Sequence, residues 1–328
     1  MRRTDIPLSL LVVANRQAGL VSTTQCEDAG LDRDRRHRLV RDGRAVAATR
    51  RVLDLEPALT AEDFPHEPSQ DRRRRRAAFL ALLAHGPDAI AVGQCALALH
   101  GIQGLPLAIR PEVALPTGRG RAARDGLVVR RFSGDIPTVA IAGFRVAEPR
   151  WALAEALCEM TRDHAVAVLD SAIQLGALRE TELSAIRRLT RGRRGAARLH
   201  DWWALVDGRA QSPLETFARL CCVDAGLPPD DLQVPLRDRA GRIVARGDLG
   251  WHLSERRWLI AEIDGAGPHS GPDALYEDRR RQNAVVATGM VDMLRFTAKD
   301  LAASGSFAAT IRAHLAQDAL RARPETAR

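Results

Sequence analysis

RIVARGDLGWHLSERRWLIAEIDGAG, residues 242–267, decides how the rear of this chain reads. Its beginning, RIVARGDLGW, and its end, RRWLIAEIDGAG, are two strand-like runs rich in β-branched and aromatic residues, the second closing at Gly265. Asp248 stands near the end of the first run, and Glu262 and Asp264 near the end of the second. Hairpin-paired neighbours lie about 5 Å apart, so Asp248 and Glu262 are expected to meet at one edge of a sheet. Glu262 and Asp264 are two residues apart and share a strand face. A divalent ion such as Mg²⁺ or Mn²⁺ demands converging oxygen ligands, and phosphodiester hydrolysis uses such an ion to activate water. Solvated carboxylates on a surface strand account for the same residues on composition alone.

The neighbouring segments extend the pattern. LQVPLRD, residues 232–238, reads as a preceding strand, set off by a turn at Arg239 to Gly241. Upstream, SPLETFARLCCVDAG, residues 212–226, reads as a helix with Ser212 as N-cap and Glu215 in the third position after it, a capping box. That structural role is one reading of Glu215; the other is a carboxylate joining the acids of the strands. Downstream come a helix, ALYEDRRRQNAVVATG (274–289), and a strand, VDMLRF (291–296). The order α-β-β-β-α-β predicts a small mixed sheet with helices against it.

In order and spacing, SPLE, GDLGW, AEIDG, His269-Ser270, EDRRRQNAVVATG and LRF resemble the Vsr-like endonuclease domains of the PD-(D/E)XK superfamily. The match covers nearly all of residues 212–297. The resemblance implies a restriction-endonuclease-like core in which Asp248 and Glu262 hold Mg²⁺ or Mn²⁺. Glu215 and Asp264 become supporting acids, and His269 a proton relay. It further implies that Asp278 and Arg281, three apart on one helix, pair or position a phosphate, and that Arg295 fills the strand arginine position. The superfamily's usual E-x-K lysine is absent: Asp264 stands there, and Lys299, the only lysine in the chain, follows the final strand.

The front of the chain carries the charge. Residues 212–328 hold 16 basic and 16 acidic side chains, so the net +8 comes from residues 1–211, with 33 against 25. Such a basic half attracts phosphate, although arginine replaces lysine throughout and a GC-rich genome accounts for that bias equally well. An apolar run over 8–13, a stop at Gly19 and a cap at Ser22 and Thr23 predict two helices, and Asp32 can cap a third, DRDRRHRLVRDG, ending at Gly43. RAVAATRRVLDL, residues 44–55, then alternates as a β-hairpin does. A third helix carrying Arg35, Arg36, Arg38 and Arg41, with Arg50 and Arg51 on the hairpin, could set guanidinium groups against a major groove; a solvated helix face explains the same residues. The arrangement resembles the winged-helix head of AbiEi-type antitoxin proteins. Residues 77–210 are similar to the middle part of that family through Ala96–Gly101, an A-x-x-LHG stretch between helices, followed by strands over 112–115, 127–132 and 138–141 and helices from Pro149. His100 in that stretch reads as a packed core histidine.

The sequence therefore predicts an α/β chain, multi-domain α+β overall: a winged helix-turn-helix over 1–60, a basic linker over 61–76, an α+β middle domain over 77–210 and the nuclease-like αβββαβ domain over 211–328. The run Arg72 to Arg76 is either a phosphate clamp or a solvated helix start. Five cysteines without CxxC spacing suggest neither a zinc knuckle nor a disulfide framework, and no stretch approaches the roughly 20 apolar residues of a membrane span. A cytoplasmic protein is expected, with double-stranded DNA and a toxin as partners, acting as a metal-dependent endonuclease or nickase. The alternative is a non-enzymatic, antitoxin-like regulator that keeps the nuclease fold as a platform.

Overall fold

Leu10 and Ala14 recur one helical turn apart and are both buried, which sets the inner face of the first helix, α1 (Leu8–Arg16). This is the first element of a computed structural model that describes residues 6–59, 69–116, 126–238, 240–254, 257–264, 288–303 and 305–321. Its helices and its mixed and antiparallel sheets make the chain an α+β protein. Contacts divide it into two units, residues 1–165 with 177–200, and residues 166–176 with 201–328. Those limits do not follow the four segments drawn from the sequence.

In the first unit, α1 leads through β1 (Leu20–Ser22) to α2 (Thr23–Asp28), α3 (Arg33–Arg41) and the strands β2 (Val46–Thr49) and β3 (Val52–Asp54), in a sheet ordered β1-β3-β2. Ser22 opens α2 with a reciprocal capping box: its Oγ accepts from Gln25 N at 3.0 Å, and Gln25 Oε1 accepts from Ser22 N at 2.8 Å. Asp32 caps α3 by accepting from Arg35 N at 2.8 Å. Leu10, Val21, Cys26, Leu31, Leu39 and Leu53 close the core beneath these elements.

The arginine run belongs to a helix. Residues 61–68 lie outside the described residues, but Arg72 to Arg76 sit in the first turns of a long helix, α4 (Ser69–His85). Arg74 is buried, pairs with Asp71 and donates to the carbonyls of Leu105 and Pro106. Arg76 pairs with Asp54 and donates to Ala18 O at 2.8 Å, and Arg72 pairs with Glu56 at 3.3 Å. Arg72 and Arg76 tie α4 to the β1-β3 edge and Arg74 ties it to residues 105–106, since charged donors satisfy carbonyls that would otherwise be stranded. Gly19, at φ +88°, belongs to the same joint: a Cβ there would sit 3.1 Å from Arg76 Nη1.

The same unit contains a five-stranded mixed sheet, ordered β6-β5-β4-β8-β7. Its strands are β4 (Ile90–Ala91), β5 (Glu112–Ala114), β6 (Val128–Arg130), β7 (Thr138–Ile141) and β8 (Phe144–Ala147). Helix α5 (Gly93–Leu99) follows β4, and α6 (Pro149–Leu157) follows β8. The apolar stretch after Pro87 thus divides into β4 and α5. Ala142 and Gly143, at φ +51° and +83°, form the two-residue turn between β7 and β8. His100 Nε2 lies 2.8 Å from Ala147 O and burial lowers its pKa, in keeping with a packed core histidine. Helix α7 (Arg162–Gln174) follows, and α8 (Leu183–Thr190) completes this unit.

The second unit takes residues 166–174 of α7, then α9 (Pro213–Asp224) and a four-stranded sheet, ordered β12-β11-β10-β9. Its strands are β9 (Asp231–Arg237), β10 (Ile243–His252), β11 (Trp258–Asp264) and β12 (Val291–Thr297). Neighbours are antiparallel except β11 and β12, which are parallel. Leu249, Leu259, Ala261, Ile263 and Phe296 pack on one face with Ala218, Cys222, Phe307 and Ile311. Val234, Leu236 and Ile260 form a separate cluster with Trp258 and Met293. Strand β11 therefore contributes to both clusters, and its WLIA run is continuously apolar for that reason. Two helices absent from the sequence reading, α10 (Ala298–Ala302) and α11 (Ser306–Arg321), follow β12. All five cysteines are free thiols. No helix among the described residues is long and apolar enough to cross a membrane.

Candidate active site and a basic cleft

One acid of the rear strands, Asp248, and one of the preceding helix, Glu215, meet at a glutamine. Ser212 Oγ caps α9 by accepting from Glu215 N at 3.3 Å. The Glu215 carboxylate does not complete the box expected from sequence; its Oε2 accepts from Gln211 N at 2.8 Å and from Gln233 Nε2 at 3.0 Å. The same Gln233 nitrogen lies 3.2 Å from Asp248 Oδ1, and Asp248 Oδ2 accepts from Ile263 N at 2.8 Å. One carboxamide thus spans the carboxylates of Glu215 on α9 and Asp248 on β10. Gln233 is 9% exposed and takes the left-handed φ of +53° within β9, a conformation that costs about 1–3 kcal/mol and survives where its surroundings impose it. The spacing that made the acids visible gave no hint of Gln233; a lone polar residue in LQVPL was its only signal.

Charge and burial act together here. Burial pushes the Asp248 carboxyl up, with Asp264 adding repulsion; the bonds from Ile263 N and Gln233 pull it back in part. Burial likewise raises Glu215, and the Asp248 charge adds to it. Glu262 stands apart from this trio in its bonding. It is in register with Arg295 on β12, whose Nε and Nη2 donate to Glu262 Oε2 at 3.1 and 2.8 Å. Among the described residues no group of three His, Cys, Asp or Glu side chains is arranged to hold a metal ion. His269, Asp278 and Arg281 fall outside the described residues.

Gln233 is testable on its own. Gln233→Leu removes a donor shared by both acids, and hydrogen bonds to a charged form lower its pKa. The carboxyl titration midpoints of Glu215 and Asp248, followed by ¹³C NMR, are expected to move up together; midpoints equal to the parent's would make Gln233 a bystander.

In the first unit, α3 and the β2-β3 hairpin frame a cleft of about 630 Å³. Arg33, His37 and Arg41, spaced four apart along α3, line it with Arg50 of the hairpin. Of the six arginines read as DNA contacts, Arg41 and Arg50 reach this cleft with exposed side chains. Arg36 also borders it but is buried, pairing with Glu27 at 3.1 Å and donating to Leu31 O at 3.1 Å, so its charge is spent on the joint between α2 and α3. Arg35 donates to Gly30 O, Arg38 is exposed beyond the cleft, and Arg51 lines a different cavity. His37 was not singled out from sequence, although its spacing with Arg33 and Arg41 carries the signal.

No family model matches the chain. Two proteins of Mycobacterium tuberculosis, both named only as uncharacterized, are similar to it, one from strain CDC 1551 / Oshkosh and one from strain ATCC 25618 / H37Rv. Each is 31% identical over 173 residues, which is 53% of this chain and 58% of the relative. The match thus spans little more than half the length of these relatives.

Proposed function

We propose that the protein binds duplex DNA through the α3-hairpin cleft and that its second unit is a divalent-ion-dependent phosphodiesterase of the Vsr-like kind. The observation that carries this reading is the convergence of Glu215 and Asp248 on Gln233, with the Asp264 charge acting on Asp248, where burial and mutual repulsion hold two carboxyl groups above their ordinary range. A cation would offset that repulsion, and the donor set is all oxygen, which suits Mg²⁺ or Mn²⁺. Asp248 and Glu262 would hold the ion, with Glu262 exchanging Arg295 for it. When bound, such an ion supplies an activated water and countercharge for the phosphate. The residues of the chain do the rest: Gln233 and Ile263 N fix the Asp248 carboxylate, while Glu215 and Asp264 keep the site anionic. The winged-helix and nuclease-like architectures belong to this proposal, supported by the element order of each unit.

The Arg295–Glu262 pair favours a second reading. A guanidinium already neutralises one of the two expected ligands, as it would in a regulator that keeps the fold without the chemistry. Calorimetric titration of the full chain with Mn²⁺ separates the two. The nuclease reading expects saturable binding that Asp248→Ala weakens about tenfold or more, corresponding to about 1.4 kcal/mol or more; a parent that binds duplex DNA but no Mn²⁺ is the regulator.

A further inference from the structure

A second cavity in the first unit, of about 570 Å³, lies between the start of α2, the end of α4 and the β7-β8 turn. It is separate in its lining from the basic cleft, sharing only Thr23 with it. One wall is apolar, made by Leu82, Leu83, Pro87 and the ring-bearing Phe144; residues 22–25 and Arg51 make another that is polar. The volume is that of a site for a small organic molecule, and an apolar wall beside a polar one suits an amphipathic ligand.

Gln17 is 6% exposed, and its Oε1 accepts no hydrogen bond from any described residue. Arg51 uses its backbone, with its N donating to Thr49 Oγ1 and its O accepting from Thr23 N, but among the described residues its guanidinium has no acidic partner. A cation beside an apolar wall calls for an anion with an apolar body.

We propose that this cavity binds a small amphipathic organic anion: a flat apolar body against Leu83 and Phe144 and an acidic group on Arg51. The site is independent of the nuclease reading, because it uses none of the residues assigned to the second unit, and its test involves no nucleic acid.

The probe is 8-anilinonaphthalene-1-sulfonate, which carries a sulfonate, an aromatic body and one N–H, and which brightens in apolar surroundings. Titrated into the full chain, it should show saturable one-to-one binding. Arg51→Glu should weaken that binding about tenfold or more, since a charge-assisted contact becomes a repulsion. Thr24→Trp, at an exposed position, should block the cavity sterically. Circular dichroism melts matching the parent's would establish that both variants remain folded. Saturable binding that survives both substitutions unchanged places the probe elsewhere and overturns the proposal, as does the absence of saturable binding by the parent.

Discussion

Replacing Arg33, Arg41 and Arg50 together by Gln is expected to weaken duplex binding about 10²–10³-fold at roughly 0.1 M salt. Each lost phosphate contact takes away close to 0.9 of a released counterion, about eightfold in affinity at that salt. Three such contacts should also lower the salt slope by nearly 3. The three side chains share the cleft between α3 and the hairpin, so they face one partner. Arg38→Gln serves as the comparison: it removes the same charge from the same helix outside the cleft, and should cost far less. Equal losses from the triple variant and from three arginines elsewhere on the surface would reduce the cleft to general basicity. Arg36→Gln should instead lower stability, because this buried guanidinium bonds Glu27 and Leu31 O.

Asp170→Ala is the substitution expected to damage the fold most. Asp170, 1% exposed on the part of α7 belonging to the second unit, accepts from Arg219 Nη2 and Thr216 Oγ1 at 2.9 Å each and from Asp207 N at 2.7 Å. Burial pushes its carboxyl up to about 6, with the Arg219 charge opposing the rise, so it is ionised at neutral pH and balances Arg219, itself buried on α9. Removing one member of a buried ion pair leaves the other uncompensated and costs about 3–5 kcal/mol. Urea denaturation should register that loss as a lower midpoint. An Asp170→Leu, Arg219→Met double variant should recover most of it, because an apolar pair of similar volume avoids the desolvation penalty. A single variant within about 1 kcal/mol of the parent would mean that Arg219 finds solvent.

Sequence patterns located elements better than they located partners. Capping residues carried the front: Ser22 and Asp32 start the helices they were expected to start, because a cap acts on the backbone within three residues of itself. The runs at 231–237, 243–252 and 258–264 are strands, since alternating or continuous apolar residues specify a sheet wherever its faces are buried. What escaped was decided by distant packing. Strands β4 and β8 are short, and their pairing with each other joins segments more than fifty residues apart. The run Arg72–Arg76 looked like solvated charge, yet Asp54, Glu56 and the carbonyls of Ala18 and Leu105 claim it. Neither propensity nor periodicity encodes such pairings.

The candidate site divides the same way. Asp248 and Glu215 were legible as acids at strand and helix ends, and the structure brings them to a common donor. That donor, Gln233, depends on a left-handed backbone within a strand, which a side-chain pattern does not announce. Glu262 was expected beside Asp248 as an ion ligand; its partner in the structure is Arg295, set opposite it by the parallel register of β11 and β12. Register across strands far apart in sequence is a tertiary property.

The most direct measurement is conversion of supercoiled plasmid by the purified full chain, with and without Mg²⁺, beside an Asp248→Ala variant whose circular dichroism matches the parent's. The account predicts nicked or linear product from the parent only when the ion is present, and none from the variant. Intact plasmid under every condition, with duplex still bound in a gel shift, would contradict the nuclease assignment and leave a DNA-binding regulator.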